Sequence, residues 1–262
     1  MTLKFYKFQA NGNDFILVDN RKNSFSVNRE MIARLCHRHF GIGADGFMLL
    51  DSSDGYDFEM QYFNSDGKPA EMCGNGGRSI AAWAFMKNIV GKKMQFLAPD
   101  GVHEAHVEGK DALSRIFDVS LKMQDVQKVQ PLDDGLFLNT GVPHLVMFVS
   151  DVATIDVTET GRKFRNDLRF APAGTNVNFV EIQKDRLFVR TYERGVEAET
   201  LSCGTGVTAS AIAAFIKTGR KIQDIHTHGG DFRVRFQEAG SRFENIWLRG
   251  PAELVFEGVV SI

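Results

Sequence analysis

Short stretches of alternating apolar and polar residues recur along the chain: Leu3 to Phe8, Phe15 to Val18, Asp57 to Phe63, Leu136 to Asn139, Asn176 to Ile182, Leu187 to Tyr192, Phe232 to Phe236 and Glu253 to Val260. Period two sends successive side chains to opposite faces of an extended backbone, so these segments predict strands. The helical period appears in Arg29 to His37, behind Asn28 as a candidate cap, in Asn75 to Lys87, in Gly204 to Lys217, and more briefly over Thr158 to Phe164. Two of these helices have almost no polar side: Ser79-Ile-Ala-Ala-Trp-Ala-Phe85 and Ala209-Ser-Ala-Ile-Ala-Ala-Phe215. A helix that is apolar all round has to be surrounded. The pattern therefore predicts an α/β chain of the α+β kind, built as two similar units, each a curved, mainly antiparallel sheet around its own central helix. The polar stretch Lys122 to Asp134, carrying Pro131 and followed by Gly135, is the most linker-like segment. It divides the chain into an N-terminal unit, 1–120, and a C-terminal unit, 121–251.

Composition narrows the function classes. With 262 residues, 43% of them hydrophobic, the chain can bury a sizeable core. Its 31 basic and 33 acidic residues give a formal charge of −2, which carries no electrostatic signature for nucleic acid or an anionic membrane. The amino terminus alternates like a strand and lacks a signal-peptide core, and no apolar run approaches the roughly 20 residues that span a bilayer. A cytoplasmic location is the expectation. Three cysteines do not make a disulfide framework, so free thiols are expected.

Two of those cysteines open the same motif, Cys73-Gly-Asn-Gly76 and Cys203-Gly-Thr-Gly206, and each copy reaches a phenylalanine at the same offset, Phe85 and Phe215. The repeat of the motif at half the chain length marks an internal duplication. The first turn of a helix leaves backbone N–H groups unsatisfied and carries about half a positive charge, while glycines let a ligand approach the backbone. Such an end holds an anion and stabilises a thiolate. One Cys-Gly-x-Gly is ordinary packing more often than chemistry, because buried cysteine behaves as a small hydrophobe. Two copies at equivalent helix starts suggest more: if the units face each other, the helix ends grip one carboxylate while one thiolate takes the α-hydrogen and the opposite thiol returns a proton. That inverts a stereocentre. The N–H donors would also stabilise the charge that the carbanion places on the carboxylate.

Further segments carry a resemblance. Gly12-Asn-Asp-Phe15, Arg38-His-Phe-Gly-Ile-Gly-Ala-Asp45, Phe63-Asn-Ser-Asp-Gly67, Cys73 to Gly76, Pro143-His144, Tyr192-Glu-Arg-Gly195 and Glu199-Thr-Leu-Ser-Cys-Gly-Thr-Gly206, in this order, resemble the diaminopimelate epimerases. The resemblance implies a cofactor-independent enzyme that interconverts LL- and meso-2,6-diaminopimelate, on the route to lysine and the peptidoglycan cross-link. It also implies two similar units with the site in the cleft between them, a final strand, 252–262, returned to the first unit, and a homodimer. It makes Cys73 and Cys203 the acid/base pair, and Gly74, Asn75, Gly204 and Thr205 the cradle for the reacting carboxylate. Asn13, Asn64 and Asn176 match substrate-binding asparagines, and Arg194 matches the partner of the distal carboxylate. Glu193 and His144 match polar residues at the reacting centre that orient the substrate or hold its α-ammonium.

Taken without the resemblance, each asparagine is more often a turn residue and Arg194 a surface ion pair. The remaining histidines, His226 and His228 included, lack partners at metal spacing, so no metal site is read. Cys36, in an amphipathic pattern, reads as core. Three departures stand out: Val142 replaces the usual asparagine before Pro143-His144, Gly46 stands where several relatives carry glutamine, and Glu193 to Cys203 is one residue longer than in many. Two competing readings remain: a proline or hydroxyproline racemase, whose Asp-Arg-Ser-Pro-Cys signature is absent here, and an amino-acid-binding protein that uses the helix ends without the thiols.

Overall fold

The computed structural model describes residues 2–23, 25–26, 28–110 and 115–262. The chain divides into two compact units, Met1–Leu121 with Gly250–Ile262, and Lys122–Arg249. In unit 1 the strands are β1 (Thr2–Ala10), β2 (Asn13–Asp19), β3 (Gly46–Asp51), β4 (Phe58–Asn64), β5 (Lys93–Ala98), β6 (Gly101–Lys110) and β7 (Ile116–Lys122), hydrogen-bonded in that order. The last strand, β16 (Arg242–Ser261), pairs antiparallel with β7 through Gly250–Glu253 and with β1 through Glu253–Ser261, closing an eight-stranded barrel. The β2–β3 and β4–β5 pairs are parallel, and the helices α1 (Arg29–Cys36) and α2 (Gly74–Met86) make those crossovers.

Unit 2 repeats the plan. Its elements are β8 (Val129–Leu132), β9 (Gly135–Asn139), β10 (Pro143–Val149), α3 (Val157–Arg165), β11 (Asn176–Ile182), β12 (Leu187–Glu193), β13 (Ala198–Thr200), α4 (Gly204–Thr218), β14 (Asp224–Thr227) and β15 (Gly230–Ala239). Its parallel pairs, β10–β11 and β12–β14, are crossed by α3 and α4. Starts of equivalent elements lie 130 positions apart: Asn13 and Pro143, Gly46 and Asn176, Gly74 and Gly204. The duplication inferred from the two cysteine motifs thus extends through the strands and crossovers.

The segment Lys122 to Asp134, linker-like in composition, is built into unit 2. Val126 is fully buried and exchanges both backbone hydrogen bonds with Phe243, at 2.8 and 2.9 Å. Asn28 caps α1 by accepting from the Met31 N–H.

Both central helices are surrounded, as their lack of a polar side requires. From Gly74 to Ala84 every residue of α2 is buried, and Trp83 meets Tyr6 of β1 at 5.3 Å between ring centres. In α4, Val207, Ile212 and the alanines pack with Val146, Val180, Val189, Phe232 and Leu248 from five strands. The outer strand faces are covered too: α1 lays Ile32, Leu35 and Cys36 on Ile16, Val18, Phe47 and Leu49. This explains β3 and β10, whose runs Phe47-Met-Leu-Leu50 and Leu145-Val-Met-Phe-Val149 show no alternation. Strands covered on both faces read as continuous apolar runs.

Truncating the middle of a central helix leaves a cavity that the surrounding strands cannot collapse to fill. Ile212→Ala is expected to lower the unfolding free energy in urea by about 2–5 kcal/mol. A loss below ~1 kcal/mol would contradict the enclosure of α4.

Candidate functional site

The start of α2 is a built helix end. Cys73 is its N-cap residue, and the thiol sulfur accepts from the Gly76 N–H at 3.2 Å. A Cβ on Gly76 would lie 3.3 Å from that sulfur and 3.4 Å from the Met48 sulfur, and one on Gly77 would lie 2.9 Å from the Met72 sulfur. The glycines are what let the first turn sit this close to its surroundings. One turn on, Arg78 is fully buried, with its guanidinium on the Gly74 carbonyl (3.1 Å), the Asn75 Oδ1 (2.9 Å) and the Asn11 Oδ1 (2.6 Å). Burial lowers the Arg78 pKa to about 10, while negative charge at Cys73 and Asp118 acts in the opposite sense. Arg78 is still a cation at neutral pH, so this helix end favours an anion twice over.

Asn13 is held beside that end. Its Nδ2 donates to Asp45 at 2.7 Å, and its Oδ1 lies 3.9 Å from the Cys73 sulfur. Asp45 in turn accepts from Arg38 at 2.7 Å, and Arg38 forks onto both oxygens of Asp14 at 2.8 and 3.0 Å. Lys7 pairs with Asp14 at 2.7 Å and donates to the Gly43 carbonyl. Burial pushes the Asp14 carboxyl up, but bonds from Arg38 and Lys7 outweigh it and hold the group well below the usual carboxylate range. The Arg38 to Asp45 motif seen in the sequence is therefore a brace for Asn13.

In unit 2, Cys203 is the N-cap residue of α4 without a side-chain capping hydrogen bond, and its sulfur lies 3.4 Å from the Thr205 hydroxyl oxygen. The Thr205 carbonyl accepts from Thr140 at 2.9 Å, and the Gly204 carbonyl accepts from Thr208 at 2.9 Å. A Cβ on Gly206 would fall 2.4 Å from the Asn178 Oδ1, so α4 starts pressed against β11. His144 is fully buried, with its Nδ1 3.0 Å from the Asn178 Nδ2, and burial, with the Arg194 cation adding to it, lowers its pKa to about 3. It is a neutral imidazole at any working pH. The Asn176 amide is committed at both ends, donating to the Pro143 carbonyl at 3.1 Å and accepting from the Arg194 N–H at 2.7 Å. Glu193 accepts from Thr200 at 2.9 Å, and burial raises its carboxyl above the ordinary range. The Arg194 guanidinium reaches the Ala173 carbonyl at 3.4 Å, and no carboxylate among the described residues pairs with it.

Unit 1 thus gathers Cys73, Gly74, Asn75 and Asn13 around one helix start. Asn64 stands at the exposed end of β4, where its carbonyl accepts from Gly67 in a turn. Unit 2 gathers Cys203, Gly204 and Thr205 at the other helix start, with His144, Asn176, Glu193 and Arg194 on the adjoining strands β10 to β12 and the turn that follows. Sequence reasoning passed over Arg78 and Asn178. The signal for Arg78 was a lone cation inside an apolar helix; Asn178 gave none, because an alternating strand admits a polar residue at any outward position. Cys36 is buried, and burial pushes its thiol up to about 12. Among the described residues no cluster of His, Cys, Asp or Glu fits a metal ion, and no helix is long and apolar enough to cross a membrane.

A profile of the family "Diaminopimelate epimerase" matches residues 5–129 and 136–255. The chain is 47% identical over 262 residues to the diaminopimelate epimerase of Flavobacterium psychrophilum, covering 98% of this chain and all of that one. It is 39% identical to the Aquifex aeolicus protein of the same name, covering 99% and 98%. Among solved structures, a Bacillus anthracis phenazine biosynthesis protein of the PhzF family superposes with a TM-score of 0.75 at 15% identity, with full coverage of both chains. A hydroxyproline epimerase from Agrobacterium vitis, with trans-4-hydroxy-L-proline bound, superposes at 0.70 with 14% identity, covering all of this chain and 93% of the other. At such identities the two structures share the fold.

The Asp14 brace makes stability depend on pH. Its folded carboxyl titrates below the unfolded value near ~3.9, so the stability it contributes is full above about pH 4 and is lost as pH falls further. Asp14→Asn is expected to lower the urea midpoint at pH 7, with the gap from the wild type shrinking towards pH 3. A gap that widens on acidification would contradict the assignment.

Proposed function

The chain belongs to the diaminopimelate epimerase family, and from that membership we propose that it interconverts LL- and meso-2,6-diaminopimelate by proton transfer between the α-carbon and two cysteine thiols. The observation that carries the reading is the pair of N-cap cysteines, Cys73 on α2 and Cys203 on α4, at equivalent positions of a duplicated fold. In each turnover one thiolate removes the α-hydrogen as a proton, leaving the C–H electron pair on the α-carbon. The other thiol then gives its proton to the opposite face and becomes the thiolate. The enzyme thus ends each turnover with the two roles exchanged, and protons passing to and from solvent restore the starting form.

Chain groups suit each part of this chemistry. The carbanion is stabilised by delocalising charge onto the α-carboxylate, and preorganised N–H donors at a helix start offset that charge without reorganisation. Gly74 and Asn75, and Gly204 and Thr205, supply those first turns; Arg78 adds a buried cation to the α2 end. Asn13, Asn64 and Asn176 bind or frame the substrate. Glu193 is the acceptor for the α-ammonium, a contact that would also favour its charged form. Arg194 forks onto the distal carboxylate. No cofactor or metal takes part, because both proton carriers belong to the chain. The same reading assigns the enzyme to the cytoplasm, to lysine and peptidoglycan precursor synthesis, and to a homodimer.

The first test is chromatographic separation of LL- and meso-diaminopimelate after incubation with the protein, with L-proline as a parallel substrate and EDTA present. Epimerisation of diaminopimelate, unaffected by EDTA and absent for proline, is expected. Cys73→Ala and Cys203→Ala should each abolish it, because removal of a proton from one face does not complete inversion without an acid on the other. Near-normal turnover in either variant rules out the two-thiol mechanism.

Arg194 tests the substrate assignment. Charge-assisted hydrogen bonds are worth roughly 1.5–3 kcal/mol, so Arg194→Ala should cut kcat/KM by about one to two powers of ten. Lysine should rescue only part, since an ammonium does not fork. An unchanged kcat/KM in Arg194→Ala means that the distal carboxylate is held elsewhere.

A further inference from the structure

The hydrogen bonds around His144 determine which of its nitrogens carries the proton. The Asn178 Nδ2 lies 3.2 Å from the Leu145 carbonyl oxygen and 3.0 Å from the His144 Nδ1, while the Asn178 Oδ1 accepts from the Thr191 hydroxyl at 3.0 Å. A carbonyl only accepts, so the atom facing Leu145 is the amide nitrogen, and that nitrogen only donates. The His144 Nδ1 must therefore be the acceptor, and the ring proton sits on Nε2. That Nε2 is buried and has no hydrogen-bond partner among the described residues. A buried donor of this kind calls for an acceptor, from water or from a ligand.

The duplicated fold separates a packing role for Asn178 from a chemical one. Positions 48 and 178 are equivalent, third in β3 and in β11, and both pack under the first turn of the central helix. Met48 meets the place of a Cβ on Gly76 at 3.4 Å, and the Asn178 Oδ1 meets that of Gly206 at 2.4 Å. Unit 1 fills the position with an apolar side chain, so packing alone does not require an amide there. Unit 2 has the amide on the strand next to His144.

We propose that Asn178 is a positioning residue that locks His144 as the Nε2–H tautomer, making the imidazole a permanent neutral donor for the substrate carboxylate held at the start of α4. An imidazole in this state has no free acceptor for an ammonium, so the α-ammonium falls to Glu193. The charged group that bears on the imidazole is Arg194, which opposes protonation. Asn178, Thr191 and Thr205, from β11, β12 and α4, are uncharged. The ligand half of this proposal rests on the epimerase reading; the tautomer half does not.

The test is nitrogen-15 NMR of histidine-labelled protein without substrate, with the His144 signals assigned by their loss in His144→Gln. The wild type should show a protonated Nε2 and an unprotonated Nδ1, unchanged from pH 5 to pH 9. In Asn178→Asp the new carboxylate accepts instead, so the proton should move to Nδ1. In Asn178→Met, which copies unit 1, the two tautomers should exchange. A wild-type signal from Nδ1–H, or an Asn178→Asp protein that keeps Nε2–H, overturns the proposal, and the wild-type spectrum decides it even if a variant fails to fold. Kinetics test the ligand half: kcat/KM for diaminopimelate should fall at least about tenfold in Asn178→Asp, equal to ~1.4 kcal/mol. A shifted tautomer with unchanged kcat/KM refutes the carboxylate role; a correct tautomer in a protein with no epimerase activity refutes only the proposed reaction.

Discussion

A helix without a polar side has to be enclosed, but its first turn still presents backbone donors that need partners. That constraint, met twice, organises the molecule. Residues 74–84 of α2 and 206–214 of α4 are buried among strands, and the crossovers that return the chain to a parallel neighbour bring each helix to its place. At each enclosed helix the opening turn combines glycines with an N-cap cysteine. Enclosing the helices holds the core together, and their N-cap cysteines carry the candidate chemistry.

The duplication gives the two helix starts the same backbone but different surroundings. At α2 the residue five places beyond the cysteine is Arg78, a buried cation on the Gly74 carbonyl; at α4 it is Thr208, a neutral hydroxyl on the Gly204 carbonyl. Under the first turn lie Met48 in one unit and Asn178 in the other. In unit 2, His144, Asn176 and Glu193 lie on three adjoining strands.

Much of the fold was legible because periodicity tracks burial. Half-covered strands such as β11 and β12 alternate, and the two central helices announced themselves by having no polar face. β3 and β10 were hidden for a physical reason: helices cover them on one side and the central helix on the other, so nothing in them alternates. The polar composition of 122–134 resembles a linker and gives no sign that Val126 is locked to Phe243. For the candidate site, the doubled Cys-Gly-x-Gly marked both helix starts. What sequence did not reveal are residues whose role depends on distant partners, above all Asn178, which matters only because parallel pairing of β10 and β11 sets it beside His144.

The central claim is that two different groups handle the proton on the two faces of one carbon. It is tested most directly by following LL-diaminopimelate in deuterated water at low conversion. If one thiol removes the hydrogen and a solvent-equilibrated thiol delivers its replacement, the meso product carries deuterium at the inverted carbon, while the remaining LL substrate keeps its hydrogen. A meso product that retains the original hydrogen, or an LL pool that exchanges faster than it epimerises, would contradict the account.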